Sequence, residues 1–316
     1  GVTASAAPIT SAEHARLTKR MAVASVGVAF ALMLLKGWAW LASGSVAMLA
    51  SLADSTLDLA ASAVTFFAVR YASAPPDREH RFGHGKAEAF AGLLQGGLVL
   101  VSAAIVALEA VPRLVAQAPL RHGAESIAVL IPSLGLTLRL VWAQTRVVRR
   151  TGSIATRADR LHYAADLASN LVVIVGIAAT AFLSIGWADP IAGLVVAAGL
   201  VWGAINVARE AADHLLDREI PDEKRDRIRS LAESDPRILR VHQLRTRSSG
   251  PYMHVQFHAE LEPDLSLEAA HQIIVAAEER IRAEFPSADL IIHPDPKGRA
   301  EPHGHEDFEP RMESGG

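Results

Sequence analysis

No cysteine occurs in the chain, so disulfide staples, thiolate metal ligation and thiol catalysis are all excluded. Aromatic residues are scarce at 5%, and charge is nearly balanced: 31 Lys and Arg against 34 Asp and Glu, a net −3. A chain this close to neutral lacks the basic excess of a general nucleic-acid binder. Charged residues are also few, 21% of 316, while half the chain is apolar and the mean hydropathy is +0.22. These values fit a membrane part joined to a polar part that holds much of the charge. Any metal chemistry must use His, Asp and Glu, and 13 histidines are present to supply it. The first apolar run is too long for a signal-peptide core and lacks a cleavage site, so no cleavable signal is expected.

That first run, Met21 to Ala42, contains a single charge, Lys36. Its 22 residues would extend roughly 33 Å as a helix, enough to cross a bilayer core. Five further candidates follow at Ser45–Tyr71, Ala87–Val111, Ser126–Val148, Leu161–Ile185 and Ile191–Ala211. All are rich in Ala, Gly and Ser, which suit close helix packing in lipid, and a six-helix bundle over residues 16–216 is expected. The connections after the second and fourth spans carry nine basic residues, from Arg70 to Lys86 and from Arg146 to Arg160. The opposite side carries Arg113 and Arg121. This asymmetry puts both termini and both long connections in the cytoplasm.

From Asp217 the composition turns polar. Pro221 opens an amphipathic helix, and two alternating runs, Ile238–Arg247 and Tyr252–Leu261, are joined by Ser248-Ser249-Gly250-Pro251, a hairpin signal. A second helix over Ser266–Phe285 and a short strand, Asp289–His293, complete an α-β-β-α-β order over residues 217–296. That order fits a small ferredoxin-like α+β domain. Residues 1–15 and the tail 297–316 read as disordered, and His303 and His305 in that tail are incidental on composition.

The second span holds Asp54 and Asp58, and the fifth holds His162 and Asp166. Each pair is spaced i, i+4 and so shares one helix face. In a soluble helix such pairs are most often a solvated face or a local hydrogen bond. Within a span an ionised carboxylate costs about 2.5–3.5 kcal/mol even on the lenient insertion scale. A divalent cation held by all four residues, three oxygens and one nitrogen, would compensate. Asp77, His80 and His84 follow in the next connection, and His242, His254, His258, His271, His293 and Asp295 lie in the polar part. On their own these read as surface residues. Alternation along Tyr252–Leu261 puts Val255, Phe257, Ala259 and Leu261 on one face and His254, Gln256 and His258 on the other.

Three separated segments, LADSTLD in the second span, PDREHRFGHGKAE after it and RADRLHYAAD leading into the fifth, resemble the cation diffusion facilitator family. The match is nearest to a bacterial branch of ferrous-iron and zinc efflux pumps, and it runs from about residue 16 to 296. The resemblance implies a transport site at Asp54, Asp58, His162 and Asp166, and a second metal site at Asp77, His80 and His84. It implies a binuclear cytoplasmic site at His242, His258, His271, His293 and Asp295, at the interface of a homodimer, with His254 left as surface. Pro294, between His293 and Asp295, departs from the polar residue common in relatives. Lys86 and Asp217 match a charged interlock at the root of the cytoplasmic domain. The implied activity is not enzymatic. It is proton-coupled export of divalent metal, with zinc foremost and cadmium, ferrous iron and manganese as further substrates, across a bacterial inner membrane. A metal-sensing membrane scaffold and a passive metal conductor are the alternatives. Metal ions serve as substrate and as regulatory ligand, and no nucleic-acid partner is implied.

Overall fold

A computed structural model describes residues 9–43, 46–116, 124–183 and 188–299. The chain folds as two compact units, one of residues 12–216 and one that begins at Asp217.

The first unit is six long helices, α1 (Ser11–Ser43), α2 (Val46–Ala72), α3 (Ala87–Ala116), α4 (Ala124–Thr151), α5 (Ile154–Leu183) and α6 (Ala188–Leu215). Two of them start well before the expected spans. α1 begins within the tract read as disordered, because Ala12, Glu13, Ala15, Arg16 and Leu17 are good helix formers and Glu13 pairs with Arg150 of α4 at 3.0 Å. α5 begins seven residues before Leu161, since its polar first turns are buried against other helices rather than exposed.

Among the described residues, four helices are long and apolar enough to cross a membrane: α1, α2, α3 and α6. α4 and α5 are of similar length, 28 and 30 residues, and their charges gather at one end, with Arg146, Arg149 and Arg150 closing α4 and Arg157, Asp159 and Arg160 opening α5. α5 is the helix against which the others pack. Ala165 sits with Val99 and Ala103 of α3 and Leu200 and Ala204 of α6. Tyr163 joins Met21 and Ala29 of α1 and Leu140 of α4, and Ala155 joins Ala22 of α1, Val69 of α2 and Ala91 of α3. Two glycines set the approach. A Cβ at Gly92 of α3 would lie 2.6 Å from Ile154 Cγ2, and one at Gly203 of α6 would lie 2.9 Å from Leu161 Cδ1. Trp38, Leu41, Leu57, Phe67, Leu108, Val195 and Trp202 point outward, as lipid-facing side chains must.

The second unit contains α7 (Asp222–Glu233), β1 (Arg240–Ser249), β2 (Tyr252–Leu261), α8 (Leu267–Glu284) and β3 (Ala288–Pro296). The architecture is therefore the expected helical membrane part followed by α-β-β-α-β. The sheet order is β1-β2-β3, with β1 antiparallel and β3 parallel to β2. Gly250, at φ 55°, turns the hairpin, and the Ser266 hydroxyl caps α8 by accepting from the Ala269 N–H at 3.2 Å. Val255, Phe257, Ala259 and Leu261 are buried against Ile228 of α7 and Ile273, Ala277 and Ile281 of α8, so strand alternation sorts the core as expected. β3 runs three residues past its expected end. The tail residues His303 and His305 lie outside the described residues.

Candidate metal centres

Among the described residues, three groups of His and Asp offer ligand atoms within 4.8 Å of one another. The first joins α2 to α5. His162 Nε2 hydrogen-bonds Asp58 Oδ1 at 3.0 Å and stands 4.0 Å from Asp166 Oδ2, one turn further along α5. Asp58 and His162 are buried, at 7% and 6% exposure, and Asp166 is half-buried. Asp54, one turn before Asp58, is exposed and stands outside this group. The structure thus brings together three of the four residues. Among the described residues, His162 Nδ1 is buried and has no hydrogen-bond partner.

The second group lies in the connection between α2 and α3. Asp77 Oδ1 accepts from the backbone N–H of His80 at 2.6 Å and of Glu79 at 2.9 Å, an Asx turn that fixes the carboxylate. The His80 N–H first, and then the Glu79 N–H and the two imidazoles, hold the Asp77 carboxyl below its ordinary pKa. His80 Nδ1 is 3.4 Å and His84 Nε2 3.3 Å from that carboxylate, with the two rings 4.6 Å apart. Tyr71 backs His84 at 4.4 Å.

The third group is spread over all three strands. The register aligns His242 of β1, His258 of β2 and His293 of β3. Asp295 is 6% exposed and receives all three imidazoles, His258 at 2.9 Å, His242 at 3.2 Å and His293 at 3.3 Å. A β-bulge follows His242, where Gln243 adopts φ 51°. His271, on α8, is exposed and stands outside the group. His254 corrects the surface assignment. It is 7% exposed and bonded through Nδ1 to Asp289 at 3.1 Å, because parallel pairing of β3 puts that aspartate beside it.

The two interlock residues each have a partner in their own unit. Lys86 Nζ donates to the Leu215 carbonyl at 3.3 Å, and Asp217 accepts from Arg247 at 3.1 Å.

Sequence reasoning passed over two buried carboxylates, one of them three residues before His162 on α5. Asp159, 1% exposed, accepts from Gln144 Nε2 at 2.8 Å, and Glu88, 3% exposed, accepts from the Ser153 hydroxyl at 2.5 Å. The available signal was spacing: Asp159 lies three residues before His162, on the same side of α5.

Comparison with known proteins gives two family matches. Residues 22–216 match the cation efflux transmembrane domain, and residues 220–297 match the cation efflux protein cytoplasmic domain. A cation-efflux pump FieF from Klebsiella pneumoniae is 41% identical over 285 residues, 90% of this chain and 94% of that protein. The FieF pump of Shewanella oneidensis is 40% identical over 86% of this chain and 92% of its own length. That of Cronobacter sakazakii is 39% identical over 90% and 94%.

Proposed function

Because this chain belongs to the cation efflux family, a family of membrane transporters and not of enzymes, we propose that it exports divalent metal cations, zinc foremost, in exchange for protons. Cadmium, ferrous iron and manganese are the further substrates of this reading, since a nitrogen and oxygen donor set ranks metals by general affinity rather than by identity. The observation that carries it is the buried Asp58–His162–Asp166 group on two long helices of a membrane unit. Buried acids and an imidazole at that depth have a use as a cargo site.

Coupling follows from the ligand chemistry. Carboxylate and neutral imidazole bind metal only when deprotonated, so metal and protons compete for the same atoms. Metal arriving from the cytoplasm displaces protons from Asp58, His162 and Asp166, and protons from the outer side displace metal. Asp54, one turn away on α2, closes the coordination as the fourth ligand by a side-chain rotation. Alternating exposure of the site requires tilting of the helices that carry it.

The remaining groups have supporting roles in this reading. Asp77, His80 and His84 take up metal ahead of the transport site. The third group fits a regulatory metal, since three imidazoles converge on one buried carboxylate. A divalent ion held by His242, His258, His293 and Asp295 would tie the three strands together, and the exposed His271 is available to a second copy in a homodimer. Lys86 and Asp217 are the interlock residues of this reading. The membrane is a bacterial inner membrane with both termini cytoplasmic.

Metal uptake into sealed proteoliposomes under an imposed pH gradient tests the proposal. Zinc uptake is expected to follow the gradient and to vanish in Asp166→Ala and Asp58→Ala. Uptake unaffected by the gradient would make the protein a passive conductor. No uptake of zinc, cadmium, manganese or ferrous iron by folded protein would leave the sensing scaffold as the reading.

A further inference from the structure

The His162 imidazole lacks the device that usually orients a metal-binding histidine. Such a ring normally donates its second nitrogen to a carboxylate or a carbonyl, whereas His162 Nδ1 is buried and makes no hydrogen bond among the described residues. Its position therefore depends on where the α5 backbone is held. One turn away from the metal group lies a closed polar network that ties the same two helices to α1 and α4. Asp159 of α5 accepts from Gln144 Nε2 of α4 at 2.8 Å and from the Ser62 hydroxyl of α2 at 3.5 Å. The Ser62 hydroxyl meets the Tyr163 hydroxyl at 2.7 Å, Tyr163 donates to the Ser25 carbonyl of α1 at 3.3 Å, and Gln144 also donates to the Ser25 hydroxyl at 3.1 Å. All five residues are at most 1% exposed.

The spacing connects this network to the site. Ser62 is one turn after Asp58 on α2, and Asp159 and Tyr163 flank His162 on α5. The Ser62–Tyr163 and Ser62–Asp159 contacts pin α2 to α5 beside the 3.0 Å Asp58–His162 contact. Gln144 and Ser25 hold that crossing against α4 and α1. We propose that Asp159 is a positioning residue for metal recognition, setting through Ser62 and Tyr163 the α2–α5 crossing at which Asp58 and His162 meet. This inference rests on the reading of Asp58, His162 and Asp166 as the transport site.

The test is zinc uptake by full-length protein in proteoliposomes, with KM and maximal rate measured separately and folding checked by monodispersity in detergent. Asp159→Ala is expected to raise the zinc KM by about tenfold or more, the usual effect of removing support behind a metal ligand. Ser62→Ala and Tyr163→Phe are milder. Each is expected to raise KM, and their double variant to raise it by less than the two single changes combined, because the two share the Ser62–Tyr163 contact. A residue that only stabilised the bundle would lower the yield and the maximal rate and leave KM in place. If Asp159→Ala does not fold, the two milder variants decide the matter. Folded variants with a parental KM, alongside a parent that transports, overturn this inference alone. A parent that takes up no metal overturns the transport reading and this inference with it.

Discussion

Donor type decides what the transport group prefers. One imidazole among carboxylates favours zinc over harder ions. His162→Asp is expected to raise the manganese-to-zinc uptake ratio several-fold, measured with both metals in competition. An unchanged ratio would remove His162 as the discriminating ligand. A second residue-scale expectation concerns stability. Asp235 accepts two hydrogen bonds from the Arg237 guanidinium, at 2.9 and 2.7 Å, and that guanidinium holds its carboxyl down at about 2. An acid lowered on folding stabilises above its unfolded pKa, near 3.9, and loses that contribution as pH falls toward 2. Asp235→Asn should therefore lower the melting temperature at pH 7 by about a degree or two. The gap should narrow between about pH 4 and pH 2, which a thermal series in detergent measures. At this scale the sequence was most legible where spacing and membrane cost acted together, as at Asp58, His162 and Asp166. It was least legible where neighbours come from other helices. Nothing in i, i+4 spacing announces that Asp159 meets Gln144 of α4 and Ser62 of α2, or that β3 carries Asp289 to His254.

The helices owe their close approach to small residues, and the two tightest contacts are not equivalent. At Gly92 a methyl group would meet the branched Cγ2 of Ile154, a stiff side chain at the start of α5. At Gly203 it would meet the end of Leu161, which can turn away. At Gly97 nothing lies within 4 Å. Gly92→Ala should cost about 1–3 kcal/mol through overpacking, Gly203→Ala less, and Gly97→Ala close to nothing. Thermal unfolding of the three variants in one detergent checks the order, and equal behaviour at 92 and 97 would refute this packing. Element type and order were readable from apolar length and from period-2 alternation. The starts of α1 and α5 were not, because their first turns are polar and are held by tertiary contacts such as Glu13–Arg150 and Ser153–Glu88. The parallel pairing of β3 was equally hidden, since a short strand carries no sign of its neighbour.

At the scale of the whole molecule, two of the three candidate groups have different expected consequences under the proposed function. In that reading the Asp58–His162–Asp166 group belongs to transport, where tight binding would hold the cargo back. The His242–His258–His293–Asp295 group joins three strands of one sheet, so a metal bound there stabilises the fold by mass action. Zinc at a hundred times its dissociation constant would contribute about 2.7 kcal/mol. A rise in melting temperature on adding zinc is therefore expected for the parent and for Asp58→Ala, and a much smaller one for Asp295→Ala. Transport should divide the other way, with Asp58→Ala inactive and Asp295→Ala retaining uptake that follows the pH gradient. Zinc-induced stabilisation lost in Asp58→Ala and kept in Asp295→Ala would reverse the two assignments, placing the structural metal among the helices and leaving the sheet group with no tight ligand.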